Sequence, residues 1–139
     1  MTQFKESALI LLFEFLGTAF LTALFAAARA DTAALLCGFF ILLIFSARIS
    51  GSHFNPAITL AFMFRRDLGR FSRKLGLLYI VAQYLGAIVG ALFSYNLFYA
   101  KNLGLPLTVG VTAEGGHLII QAIFVEMIGT MLITFLYLT

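Results

Sequence analysis

Apolar residues fall along this chain in long unbroken blocks, and charged residues mark where the blocks end. That is neither the strict alternation of a half-buried strand nor the stripe of a surface helix. A helix needs about 20 apolar residues to cross a hydrocarbon core of roughly 30 Å. Ala8–Ala28 is the first such block, interrupted only by Glu14, and Thr32–Ala47 is shorter and closes at Arg48. Leu75–Tyr99 and His117–Tyr137 complete the set, the last interrupted by Glu126. The pattern predicts four spans within a single membrane domain over residues 1–139. Residues 49–64 differ: Ser50–Asn55 is polar and contains glycine, and Pro56–Phe64 is apolar and stops at Arg65-Arg66. A helix of that length rises only about 13 Å, half a membrane. The expectation there is a re-entrant loop followed by a half helix.

Composition agrees. With 62% hydrophobic and 11% charged residues and a mean hydropathy of +1.04, the chain has too little polar surface to clothe a water-soluble globule. A cleaved secretory signal is the alternative for the first block, with Lys5 as its basic region and Ala28-Arg29-Ala30 as a cleavage-like site. The block is longer than a signal core and carries Glu14, which favours a retained helix. Cys37 is the single cysteine, and the two histidines and six acids are scattered. No disulfide framework, metal site or cofactor is therefore expected. No Ser/His/Asp, Cys/His or paired-carboxylate set shares a face, so no enzyme is expected either.

Charge fixes the expected orientation. With the N-terminus in the cytoplasm, Lys5, Arg48, Arg65, Arg66, Arg70, Arg73 and Lys74 lie inside, and only Arg29 and Lys101 lie outside. Seven against two follows the positive-inside rule. The net charge of +3 then needs no nucleic-acid partner: Arg65–Lys74 is expected to anchor the chain at the cytoplasmic face of the lipid bilayer, against anionic lipid.

Irregular backbone at membrane depth persists only where protein buries it or where it lines a watery cavity, because lipid offers no hydrogen-bond partners. The half-length segment thus points to a pathway. Asn55 is a favoured N-cap, and Pro56 suits the first helical turn, where its missing N–H costs nothing. The free N–H groups and positive end of the helix dipole would face the membrane centre, welcoming a water oxygen and opposing a cation. Asn55 adds amide donors, and the carbonyls of Gly51, Ser52 and His53 form a line of acceptors leading to it.

The run Ser50-Gly51-Ser52-His53-Phe54-Asn55-Pro56-Ala57-Ile58-Thr59 resembles the first Asn-Pro-Ala loop of the aquaporin and glycerol-facilitator family, the major intrinsic proteins. Tyr79–Ala87, with its Ala82-Gln83 and Gly86-Ala87 pairs, is similar to that family's third helix. Gly86 and Gly90, four apart, form a close-packing face. An internal repeat adds support: Glu14-Phe15-Leu16-Gly17-Thr18 recurs as Glu126-Met127-Ile128-Gly129-Thr130, and the two spans run in opposite directions by the charge count. Inverted repeats of this kind build membrane transport folds from two opposed halves.

The resemblance implies an all-α, aquaporin-like bundle of six spans and two half helices, of which this chain carries four spans and one half helix. It implies passive single-file passage of water or small neutral solutes such as glycerol, selected by diameter, lining groups and an electrostatic barrier. Asn55, Pro56 and Ala57 match the motif, with Asn55, His53, Ser52 and Gly51 expected to line the pore. Glu14 and Gln83 are expected to brace the loop, and Glu126 in part to brace a second loop. A proton relay or cation site at Glu14 or Glu126 is the alternative for an ion-coupled transporter. His53 is either a gate or a packed ring. For the constriction, counting back from Asn55 points to Leu35, and alignment of the family's aromatic-glycine pair points to Cys37. A second Asn-Pro-Ala, the arginine that follows it and two spans are absent from the 139 residues. The expectation is a fragment of a longer channel that forms homotetramers. The alternative is a non-conducting truncated paralogue that associates with full-length subunits.

Overall fold

The computed structural model describes residues 2–28, 31–65, 71–100 and 116–139. All regular elements among the described residues are helices: α1 (Thr2–Ala28), α2 (Thr32–Ser46), α3 (Pro56–Phe64), α4 (Arg73–Ala100) and α5 (Gly116–Leu138). Two compact units divide the chain, Met1–Pro106 and Leu107–Thr139. Among the described residues, three stretches are long and apolar enough to cross a membrane: Glu6–Ala28, Arg73–Leu97 and Ile119–Leu138. The 15 residues of α2 rise only about 22 Å. Beyond it the chain continues as hydrogen-bonded turns, Ser50 N–H donating to the Ser46 carbonyl (2.9 Å) and Gly51 N–H to that of Ala47 (3.1 Å). The expected boundary at Ala47 thus falls in a turn that tightens into the loop. Of the basic run Arg65–Lys74, residues 66–70 lie outside the described residues, as do residues 101–115 and Arg29.

In the first unit α1 packs along α4, α2 lies on α1, and α3 lies on α4. The α1–α4 seam is close because Gly86 faces the Phe15 carbonyl and Gly90 that of Ala19; a Cβ at either glycine would overlap those oxygens. Gly38 receives Leu24 between α2 and α1, and Gly76 receives Met63 between α4 and α3.

Burial is inverted relative to a water-soluble protein. Among the described residues, only Ile58 of the six largest fully buried side chains is apolar; the others are Gln83, Glu14, Thr59, Ser52 and Ser94. Phe20, Phe25, Phe40 and Phe45 are all exposed. Apolar side chains gain nothing by hiding from lipid, whereas polar ones must find one another. In the second unit α5 has an apolar exterior interrupted by an exposed Glu126.

Candidate functional site at the tip of the half helix

Helix α3 starts as its sequence dictates. Asn55 is extended (φ −147°, ψ 124°) and caps the helix, its Oδ1 accepting from Ala57 N–H, with Pro56 in the first turn. The cap bond is 2.8 Å. The Asn55 carbonyl accepts from the Thr59 N–H at 3.1 Å and from the Thr59 hydroxyl at 3.2 Å. With Oδ1 engaged, the two N–H bonds of the side-chain amide are the groups left to present outward.

The approach to the cap is strained. Gly51 (φ 84°), Ser52 (φ 55°) and Phe54 (φ 46°) are all left-handed, a conformation that suits glycine and is an outlier for a bulky residue. Glu14 of α1 holds it. One carboxylate oxygen accepts from Ser50 Oγ (2.7 Å) and His53 N–H (3.0 Å). The other accepts from Phe54 N–H (2.8 Å) and Gln83 Nε2 (2.8 Å). Four donors match the roughly four lone-pair sites of a carboxylate. Two of them are backbone N–H groups that no secondary structure satisfies.

Further bonds tie the loop to α2, α3 and α4. Gln83 Nε2 also donates to Thr59 Oγ1 (2.9 Å), and His53 Nδ1 meets the same oxygen at 3.1 Å. Tyr79 donates to the Ser50 carbonyl (2.7 Å), and the Ser46 and Ser52 hydroxyls pair at 2.6 Å. The His53 ring sits 4.5 Å from Phe62, 5.4 Å from Phe71 and 5.2 Å from Tyr79, centroid to centroid. Among the described residues no buried side-chain nitrogen or oxygen lacks a partner, as a polar core in lipid requires.

An open groove of about 380 Å³ lies at the tip of α3, its walls including Thr18, Thr22, Phe54, Asn55, Gln83 and Tyr84. The Thr18 and Thr22 hydroxyls donate back to the carbonyls of Glu14 (2.7 Å) and Thr18 (2.9 Å). Leu21, Phe25 and Ala87 complete a largely apolar wall. An amide donor and the positive end of a helix on an otherwise apolar wall suit a neutral oxygen-bearing solute and oppose a cation.

The residues singled out from sequence fall into three groups. Glu14, Gln83 and the loop are brought together. Within the loop, Asn55, Pro56 and Ala57 are half-buried and Gly51 is exposed, whereas the side chains of Ser52 and His53 are buried. The histidine ring is packed, not projecting. Leu35 is half-buried and Cys37 exposed on α2, and neither is a wall of the groove. Glu126 belongs to the other unit. Sequence reasoning missed Ser50, Thr59 and Tyr79 as bracing groups, and Phe54 as a wall. Spacing held the signal: Tyr79 lies four residues before Gln83, and Thr59 four after Asn55, so each pair shares a helical face.

Comparison with known proteins gives the same direction. The family described as Major intrinsic protein matches residues 4–139. The chain belongs to the major intrinsic protein family. It is an integral membrane protein, as that membership and its apolar helices require. The lens fiber major intrinsic protein of Gallus gallus is 45% identical over 65 residues, which is 47% of this chain and 22% of that protein. Aquaporin NIP1-1 of Zea mays is 34% identical over 87 residues, 63% of this chain and 28% of that one. Aquaglyceroporin AqpS of Rhizobium meliloti is 36% identical over 61 residues, 44% and 25% respectively. The chain thus spans less than a third of the length of these curated relatives. No solved structure gives a significant match.

Proposed function

We propose that this major intrinsic protein is a channel polypeptide for passive passage of water or small neutral solutes such as glycerol. The observation that carries the reading is the Asn55 amide, held at the tip of a half helix and facing an apolar-walled groove. Its two N–H bonds replace part of a permeating molecule's hydration, and the helix end raises the barrier to cations. The carbonyls of Gly51, Ser52 and His53 lead the solute there from the cytoplasmic side, on which the N-terminus lies. In this reading α2 crosses with α1, α4 and α5, and Leu35 or Cys37 contributes to the constriction.

A half helix covers half the path, so conduction requires a counterpart entering from the opposite face. Helix α5 repeats the Glu-x-x-Gly-Thr spacing of α1; its Glu126 is exposed, and a Cβ on Gly129 would meet nothing within 4 Å. We assign that face to the counterpart loop, which in the complete channel comes from a longer polypeptide assembled as a tetramer. The names of the relatives, aquaporin and aquaglyceroporin, are in keeping with this.

Stopped-flow light scattering of proteoliposomes tests the proposal, with the chain alone beside the chain within its full reading frame. We expect negligible water permeability from the 139 residues alone and rapid permeation from the longer form. Asn55→Asp keeps the capping oxygen and removes the donor pair, so it should abolish most of the longer form's permeation. Full osmotic swelling with Asn55→Asp, accompanied by a loss of ion-driven uptake, would instead identify an ion-coupled transporter. A short form that lowers the permeability of co-reconstituted full-length relatives would identify the non-conducting paralogue.

A further inference from the structure

Glu14 grips the backbone of Phe54, but the side chain of Phe54 is held as well, one turn further along the same face of α1. A Cβ built on Gly17 would overlap Cε1 and Cζ of the Phe54 ring and lie 2.6 Å from Cδ1. The ring is 4% exposed and forms a wall of the groove beside Asn55. We propose that Gly17 and Phe54 form a key and notch that positions the Asn55 amide, making them positioning residues of the pathway. The role in permeation rests on the channel reading above; the positioning itself does not.

The argument is one of geometry. Cζ lies on the Cβ–Cγ axis, so turning the ring about χ2 leaves the overlap with Cζ in place. Only a change in χ1 or in the backbone relieves it. The backbone at Phe54 is already left-handed (φ 46°), a costly state for a bulky residue that persists only when its surroundings over-determine it. Two anchors over-determine it here: the N–H on the Glu14 carboxylate at 2.8 Å and the ring on Gly17. Asn55 is the next residue and begins the helix, so any swing of Phe54 is transmitted directly to the cap. A side chain at Gly17 would push the ring off α1 and carry the amide with it.

The test uses the full chain in lipid bicelles, with the Asn55 side-chain amide proton and nitrogen shifts and the Phe54 amide exchange rate as readouts. Gly17→Ala should shift the Asn55 side-chain signals and raise Phe54 amide exchange by about tenfold or more, the usual scale of overpacking. Adding Phe54→Ala makes room for the new methyl and should return the Asn55 shifts toward those of Phe54→Ala alone. Gly86→Ala serves as the control: it disturbs the α1–α4 seam at the Phe15 carbonyl, and Phe54→Ala should not rescue it. If Gly17→Ala fails to fold, recovery of folded protein in the Gly17→Ala/Phe54→Ala double variant supports the key, and failure to recover overturns it. Unmoved Asn55 signals in a folded Gly17→Ala, or equal rescue of Gly86→Ala, also overturn it. Permeability of the same variants in the full reading frame is read separately. Loss of the channel reading with the shifts as expected leaves the key standing, and normal permeation by variants whose Asn55 has moved removes its role in transport.

Discussion

Replacing Glu14 by Gln changes one oxygen to an NH2 group and almost nothing else in shape, so its effect isolates the four hydrogen bonds of the carboxylate. The amide oxygen still satisfies one pair of donors, and the new NH2 group confronts the other. One pair contains the N–H of His53 and the other that of Phe54. Ser50 can turn its hydroxyl and Gln83 can turn its amide, but a backbone N–H cannot reverse. Whichever way the new side chain points, one buried backbone donor is orphaned, at a cost of about 1–3 kcal/mol. The surviving bonds lose their charge assistance, roughly 1 kcal/mol each, and relief from desolvating the carboxylate offsets part of this. A net loss of about 2–4 kcal/mol is expected, local to a loop whose left-handed residues depend on those bonds. At 1.4 kcal/mol per factor of ten, this corresponds to a rise of about 30- to 700-fold in the opening constant of the loop. Hydrogen–deuterium exchange in bicelles reads it directly at the amides of His53 and Phe54. Glu126→Gln, at an exposed carboxyl, should alter those two amides by less than about twofold. A folded Glu14→Gln protein in which both exchange at the wild-type rate would refute the bracing role of the carboxylate.

Other substitutions separate the parts of the site. Asn55→Asp keeps the cap oxygen on Ala57 N–H and should leave thermal stability within about 0.5 kcal/mol, whereas Asn55→Ala should cost about 0.5–2 kcal/mol; melting in detergent compares the two. Tyr79→Phe removes the donor to the Ser50 carbonyl without changing the ring, for an expected loss of about 1–2 kcal/mol in the same assay. Gly86→Val and Gly90→Val drive a side chain into backbone oxygens, which cannot swing aside, so each should lower stability by about 1–3 kcal/mol or more. Gly129→Val, built into open space, should cost less than about 0.5 kcal/mol in the isolated chain, and a larger loss there would show that this face is already occupied.

The helical architecture was legible because lipid and water impose opposite demands along the chain. Apolar block lengths and the charges that end them marked out an all-helical bundle with a half-length helix, and Asn55-Pro56 showed where that helix begins. These are local properties: a block is long enough or not, and a cap residue bonds within its own turn. The family signal was equally local, carried by Ser50–Thr59 and by the third helix. Sequence also marked Glu14 and Gln83 as polar groups at membrane depth that brace the half-helix loop, without naming the individual donors and acceptors they meet.

Tertiary structure supplied the partners, since they lie far away in sequence. The donors to Glu14 come from 36 to 69 residues further along, and the tyrosine that holds the Ser50 carbonyl is 29 residues beyond it. No periodicity encodes which of several buried hydroxyls a carboxylate will meet. The left-handed residues before Asn55 and the seating of Phe54 on Gly17 follow from how α1, α4 and the loop close around one another. Local rules therefore chose the elements. The need to satisfy every buried polar atom, in a solvent that satisfies none, chose how they meet.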